Sequence, residues 1–280
     1  MTSEEDNQNE IPKIIYICHK NVKCLTMTYN FWKQLNPGYE IKLFNDAMCE
    51  QFLFDQFSEL HRSIFKFIPD GPIKSDFWRL CILYKYGGIY VDADIHPLVP
   101  LDKYLMRSCD FVTCITPSNG NFNPHFIAAR KNDPILKECI EKYINFYNNQ
   151  SSYGYWEWSI VYIFNTILSD LKNHHNKMPT SQVFIINNKK YQLFFELNNN
   201  HENNRNSIIK NVMTKIKLTG GLHDYYCSFL NKRIFNTRYN NYDPYEHSFK
   251  NRSVKNKMPG LFIGFLGLSK LTNMRKMNNG

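Results

Sequence analysis

Asp76, Arg79, Asp92 and Asp94 are residues of chemical consequence in a spacing that two neighbouring elements can bring to one place. Asp92 and Asp94 close the apolar run Gly88-Ile89-Tyr90-Val91. Along an extended chain alternate side chains share a face, so both carboxylates are expected on one side and Ile89, Val91 and Ala93 on the other. Two hard oxygen donors at a strand end suit Mg²⁺ or Mn²⁺. Such ions commonly complete their shells with water and with phosphate oxygens of a ligand.

The other two residues need a helix to present them. Gly71 to Tyr84 reads as one, entered through Pro72 and closed by Gly87 or Gly88. Three residues apart, Asp76 and Arg79 share a face of that helix, while Phe77, Leu80, Cys81 and Tyr84 can pack inward. On periodicity alone the pair reads equally well as a surface ion pair. The acidic strand end that follows turns the reading toward a polar site.

Ile73-Lys74-Ser75-Asp76-Phe77-Trp78-Arg79 followed by Tyr84-Lys85-Tyr86-Gly87-Gly88-Ile89-Tyr90-Val91-Asp92-Ala93-Asp94 resembles the signature of glycosyltransferases with the DXD sugar-binding region. These are GT-A enzymes of the group that includes glycosyltransferase family 32, the yeast initiating mannosyltransferases and the large clostridial glucosylating toxins. A lone Asp-X-Asp is weakly specific; aspartate, arginine, paired glycines and paired aspartates at this spacing are much more so. Upstream, Ile11 to Tyr16 resembles the family's first strand, and Asn36 to Ile41 with Leu43 to Asp46 its second. Downstream, Phe126 to Arg130 and Asp133 to Leu136 resemble the strand and helix after the DXD strand. The similarity covers about residues 11–145.

The resemblance implies an α/β fold of the GT-A type: a Rossmann-like mixed, mostly parallel sheet flanked by helices, with a variable α+β C-terminal part. It implies metal-dependent transfer of a hexose or N-acetylhexosamine from a nucleotide diphosphate sugar, UDP being the favoured nucleotide. The acceptor would be a glycan or protein hydroxyl, and the reaction would proceed with retention. Asp76 and Arg79 match positions that hold the donor sugar and its phosphates; Asp92 and Asp94 match those that hold Mn²⁺ or Mg²⁺ and the ribose. His19 stands where the family usually has a Trp stacked on the base. His247 is the expected third metal ligand, ahead of His223. Asp94 and Arg79 would act catalytically by stabilising the diphosphate leaving group.

Composition agrees with a folded enzyme: 280 residues, 43% hydrophobic and 15% aromatic, enough to bury a sizeable core. Residues 1–10 read as a flexible acidic tail, residues 11–249 as the GT-A domain and residues 250–280 as a basic segment. Within the domain, 11–145 would bind the nucleotide sugar and 146–249 would form the acceptor side. Tyr153-Gly154-Tyr155-Trp156-Glu157-Trp158 could form part of an acceptor platform, with Glu157 binding hydroxyls, or simply pack where a helix begins. Glu50 to Phe67 reads as one or two helices, Ile135 to Tyr147 as another, and Ile160 to Leu171 as a further one. Val183 to Ile186 and Tyr191 to Phe195 read as strands in an Asn-rich setting.

Eight cysteines without a CxxC pair argue for reduced thiols rather than a disulfide framework or a zinc site. No signal peptide or membrane anchor is expected, which fits a soluble cytoplasmic protein. The net charge of +9 is uneven: residues 248–280 carry seven Lys and Arg and no acid. That segment would pack on the domain or make peripheral membrane contact through lipid phosphates. The basic charge also leaves open a non-catalytic nucleic-acid or membrane-surface protein, and a nucleotide-sugar hydrolase is the closer alternative. Since basic charge does not explain the convergence of the four residues, no nucleic acid is expected as partner.

Overall fold

A computed structural model describes residues 10–198 and 225–237. The strands are β1 (Ile14–Cys18), β2 (Glu40–Phe44), β3 (Gly88–Val91), β4 (His96–Pro97), β5 (Phe111–Thr116), β6 (Asn121–Ala129), β7 (Val183–Ile186), β8 (Lys189–Asn198), β9 (Tyr225–Phe229) and β10 (Lys232–Thr237). The helices are α1 (Thr26–Leu35), α2 (Asp46–Gln56), α3 (Glu59–Phe67), α4 (Gly71–Tyr86), α5 (Pro134–Asn148), α6 (Ile160–Ile167) and α7 (Ser169–Lys177). All ten strands join one mixed sheet in the order β2-β1-β3-β6-β5-β8-β9-β10-β4, with β7 paired to β8.

Strands β2, β1, β3, β5 and β8 run in one direction and β6 lies antiparallel between β3 and β5. In strand direction this half of the sheet is mostly parallel, as expected. Beyond β8 every pairing is antiparallel, through β9, β10 and β4. In β7–β8 and β9–β10 short connections impose the antiparallel pairing, because parallel neighbours need a long crossover whereas a two-residue turn returns the chain antiparallel. Asn187-Asn188 and Leu230-Asn231 make two such turns with positive φ at both residues (51°, 61° and 48°, 61°), the geometry that tight hairpins favour.

Both sheet faces are covered, so β1 and β3 bury successive residues on opposite sides. Tyr16 and Tyr90 join a core with α2 to α7, while Ile15, Ile17, Ile89, Val91 and Ala93 join a second core with Trp32, Leu101 and Phe235. Ile89, Val91 and Ala93 therefore share a side, as alternation requires. Glu50 to Phe67 spans two helices, parted at Phe57–Ser58. The run from Ile160 is likewise broken at Leu168.

Helix α4 begins with Pro72 in its first turn and ends on Gly87, at φ 66°. Gly88 follows at φ 108°, and a Cβ there would stand 2.8 Å from the Ile14 carbonyl oxygen and 3.0 Å from Tyr16 Cε2. The glycine pair thus turns the chain from helix to strand while the new strand lies hard against β1. Gly88→Ala is expected to cost about 2 kcal/mol, from strain at that φ and from the backbone contact. Urea denaturation would measure it; an unchanged midpoint would contradict the packing argument.

Candidate donor-binding site

Asp76, Arg79 and Asp92 gather at the carboxyl ends of β1 and β3, with Asp94 in the turn that follows β3, the edge where open α/β sheets bind ligands. Asp76 and Arg79 rise from α4, and their ion pair at 3.1 Å is buried, with side chains only 10% and 6% exposed. The surface-pair reading is thereby excluded. The helix face that carries them looks onto β3 rather than into solvent.

Arg79 organises the cluster. Its Nη2 stands 3.1 Å from Asp76 Oδ1 and 3.0 Å from Asp92 Oδ1, and donates to Ser75 Oγ at 3.2 Å. Nη1 donates to the Pro124 carbonyl at 2.7 Å, and the guanidinium lies 4.1 Å from the centre of the Tyr90 ring. Burial opposes the charge, but Asp92, Tyr90 and Asp76 more than compensate and hold the guanidinium above the ordinary arginine value.

Asp76 also accepts from the Ile160 amide, Oδ2 to N at 3.1 Å, which ties the start of α6 to the site. Burial pushes its carboxyl up to about 6; Arg79 and the Ile160 amide pull against this, and nearby Asp92 adds to the rise. The folded value lies above the unfolded one of about 3.9, so folding favours the protonated form. That contribution is complete below about pH 4 and is lost as pH rises through about 6. The stability difference between wild type and Asp76→Asn is expected to shift by roughly 2–3 kcal/mol across this window, against the wild type as pH rises. Denaturation at stepped pH would test it, and a flat difference would refute it.

Asp92 accepts from the Tyr90 hydroxyl at 2.7 Å on the same Oδ1 that meets Arg79. Oδ2 makes no such contact among the described residues. The strand itself ends at Val91, and Asp92, Ala93 and Asp94 sit in a turn closed by the Ile95 amide on the Asp92 carbonyl, 3.2 Å. This corrects the expectation of a strand carrying both carboxylates. Alternation still sets Asp92 on the Tyr90 side, but a turn places Asp94. Thr28 Oγ1 anchors that turn by donating to the Ala93 carbonyl at 2.9 Å. Both carboxylates are half-buried, hard donors with residual access to solvent, and so fit a divalent cation.

His19 lies just past β1, where its amide donates to the Phe44 carbonyl at 3.0 Å. Its ring is buried and its Nδ1 engages the Asn21 backbone at 2.8 Å. Glu157 is exposed on the turn before α6, beside Trp156, which is 62% exposed. Trp158 instead packs on Phe67, Phe146 and Tyr153. The aromatic segment thus divides between surface and core. His247, His223 and residues 250–280 lie outside the described residues.

Ser75, Tyr90 and Pro124 escaped the sequence reading. Ser75 Oγ bridges Cys18 Sγ at 3.0 Å and the Tyr90 hydroxyl at 2.8 Å. Two of them had a signal: Ser75 precedes Arg79 by one helical turn, and Tyr90 shares the Asp92 side of the strand. Pro124 had none, because its carbonyl arrives from β6.

Residues 23–110, which span the whole cluster, match the family described as glycosyltransferase sugar-binding region containing DXD motif. Over that stretch the chain is similar to the sugar-binding region of the DXD glycosyltransferases. Similar curated proteins include an inositol phosphoceramide mannosyltransferase of Schizosaccharomyces pombe, 28% identical over 151 residues, 52% of this chain and 46% of that protein. An initiation-specific alpha-1,6-mannosyltransferase of Candida albicans is 29% identical over 79 residues, 28% and 20% of the two chains. The human alpha-1,4-N-acetylglucosaminyltransferase is 36% identical over 81 residues, 28% and 21%. The chain thus spans less than half the length of these relatives. Among solved structures, the PaToxG glycosyltransferase aligns over 61% of this chain and 73% of its own, with TM-score 0.49 and 16% identity. Among the described residues no helix is long and apolar enough to cross a membrane.

Proposed function

We propose that the chain moves a hexose or N-acetylhexosamine from a nucleotide diphosphate sugar to a glycan or protein hydroxyl, with UDP as the nucleotide and with retention. The observation that carries this reading is the buried Asp76–Arg79 pair bound to half-buried Asp92, beside the Asp92–Asp94 turn, within the region that matches the family. Mannosyl and N-acetylglucosaminyl transfer in the named relatives support the sugar class.

In this reading Asp92 and Asp94 hold Mn²⁺ or Mg²⁺, with His247 as third ligand. The ion would act as a Lewis acid on the departing diphosphate. Arg79 sets a fixed cation, already oriented by two carboxylates and the Pro124 carbonyl, toward the charge that develops on the phosphates. Asp76 accepts from sugar hydroxyls with lone pairs that Arg79 and the Ile160 amide leave over. His19 borders the base, and Trp156 with Glu157 meets the acceptor.

Nucleotide release from UDP- and GDP-sugars, measured with Mn²⁺ or Mg²⁺ and with EDTA, tests the proposal. Metal-dependent release from one donor that accelerates with an acceptor supports transfer. Acceptor-independent release would make the chain a hydrolase, and no release from any donor by folded protein would overturn the reading.

A further inference from the structure

A second cluster lies deeper in the sheet, next to the donor site. Cys114 of β5, His125 of β6 and Cys227 of β9 are all buried, and their ligand atoms lie within 4.8 Å of one another. The two sulfurs are 3.7 Å apart, and His125 Nε2 is 3.3 Å from Cys227 Sγ. Tetrahedral zinc, with Zn–S about 2.3 Å and Zn–N about 2.0–2.1 Å, sets its ligands about 3.8 Å apart for two sulfurs and about 3.6 Å for sulfur and nitrogen. These two edges are close to those lengths. We propose that Cys114, His125 and Cys227 form a structural site for a thiophilic metal, Zn²⁺ in the first place, separate from the cation at Asp92 and Asp94.

Three further features of the fold point the same way. The pairing of β5 with β6 shifts register between Thr113 and Ile115, so that Asn123 to Phe126 bulge out of the ladder opposite Cys114. A second shift, between Arg233 and Phe235 of β10, lies opposite Cys227. Bulges re-aim side chains and recur beside functional sites; here they flank the ligand positions. Finally, Glu196, paired across the sheet with Cys227, stands 3.9 Å from His125 Nδ1. It thus faces the imidazole edge opposite the sulfurs, where carboxylates commonly orient metal-bound histidine. Soft thiolates with one imidazole select zinc over the hard cations that suit carboxylates. Binding would release the two thiol protons.

The site would fasten β9 and β10 to the sheet. It also touches the donor site through the backbone, because the Asp92 amide donates to the His125 carbonyl at 2.8 Å.

The test is metal analysis of the full chain, purified anaerobically from zinc- or cobalt-supplemented medium. One zinc per chain is expected to survive desalting, and the cobalt form to show thiolate-to-cobalt charge transfer in the near ultraviolet. Zinc X-ray absorption on the wild type should show two sulfur scatterers, a readout that does not depend on a variant folding. Cys114→Ser/Cys227→Ser should lose the metal and the band, whereas Asp92→Asn/Asp94→Asn should keep both. Absence of zinc and band, a disulfide between Cys114 and Cys227 in the isolated protein, or metal that leaves with the aspartate substitutions would each overturn the proposal.

Discussion

Arg79→Met is expected to destabilise the protein by about 3–5 kcal/mol, the cost of breaking a buried ion pair from one side. Methionine fills much of the same space, so the loss is electrostatic rather than a cavity. One guanidinium lies against Asp76 and Asp92 and satisfies the Pro124 carbonyl. Without it, two carboxylates face each other in a site where burial already raises Asp76. The deficit should shrink in acid as they protonate. Asp76→Asn introduced together with Arg79→Met should recover part of the loss, and a double-mutant cycle from denaturant titrations measures that coupling. Arg79→Lys should fall between, keeping charge but losing the fork that reaches several acceptors at once. A loss under about 1 kcal/mol for Arg79→Met would show the cluster to be solvated.

Asp94→Asn is expected to do the reverse. Stability should move by less than about 1 kcal/mol, since the turn is held by the Thr28 hydroxyl and the Ile95 amide and the position lies outside the sheet. Donor turnover under the proposed function should fall by about 10²–10³, the scale on which an electrostatic stabiliser of the leaving group acts. Half-maximal activation should also need more Mn²⁺, because an amide is a weaker hard-cation donor than a carboxylate. Steady-state rates across a metal titration, paired with a melting curve, separate the two effects. Turnover equal to wild type would remove Asp94 from the site.

The two predictions differ because one residue is held inside the fold and the other is presented by it, a distinction that spacing cannot express. Helical periodicity placed Asp76 and Arg79 on one face, and the exposed and buried readings shared that face. What decided between them was β3, which the Gly87-Gly88 turn lays alongside α4. Likewise Asp92 follows strand alternation to the Tyr90 side, whereas Asp94 depends on a turn whose anchor, Thr28, is 65 residues away.

The chain of residue types from Gly71 to Asp94 determined by itself the helix, the glycine turn, the apolar strand and the acidic end, because each rests on neighbours a few positions apart. It determined the family resemblance for the same reason. The tertiary structure alone decided which carboxylate shares Oδ1 with an arginine and a tyrosine, that Trp158 is core while Trp156 is surface, and that Cys114, His125 and Cys227 meet. Those three residues are 11 and 102 positions apart in succession, with no CxxC spacing to betray them. Contacts between strands are set by sheet order and register, and these follow from the simultaneous burial of both faces rather than from any local pattern.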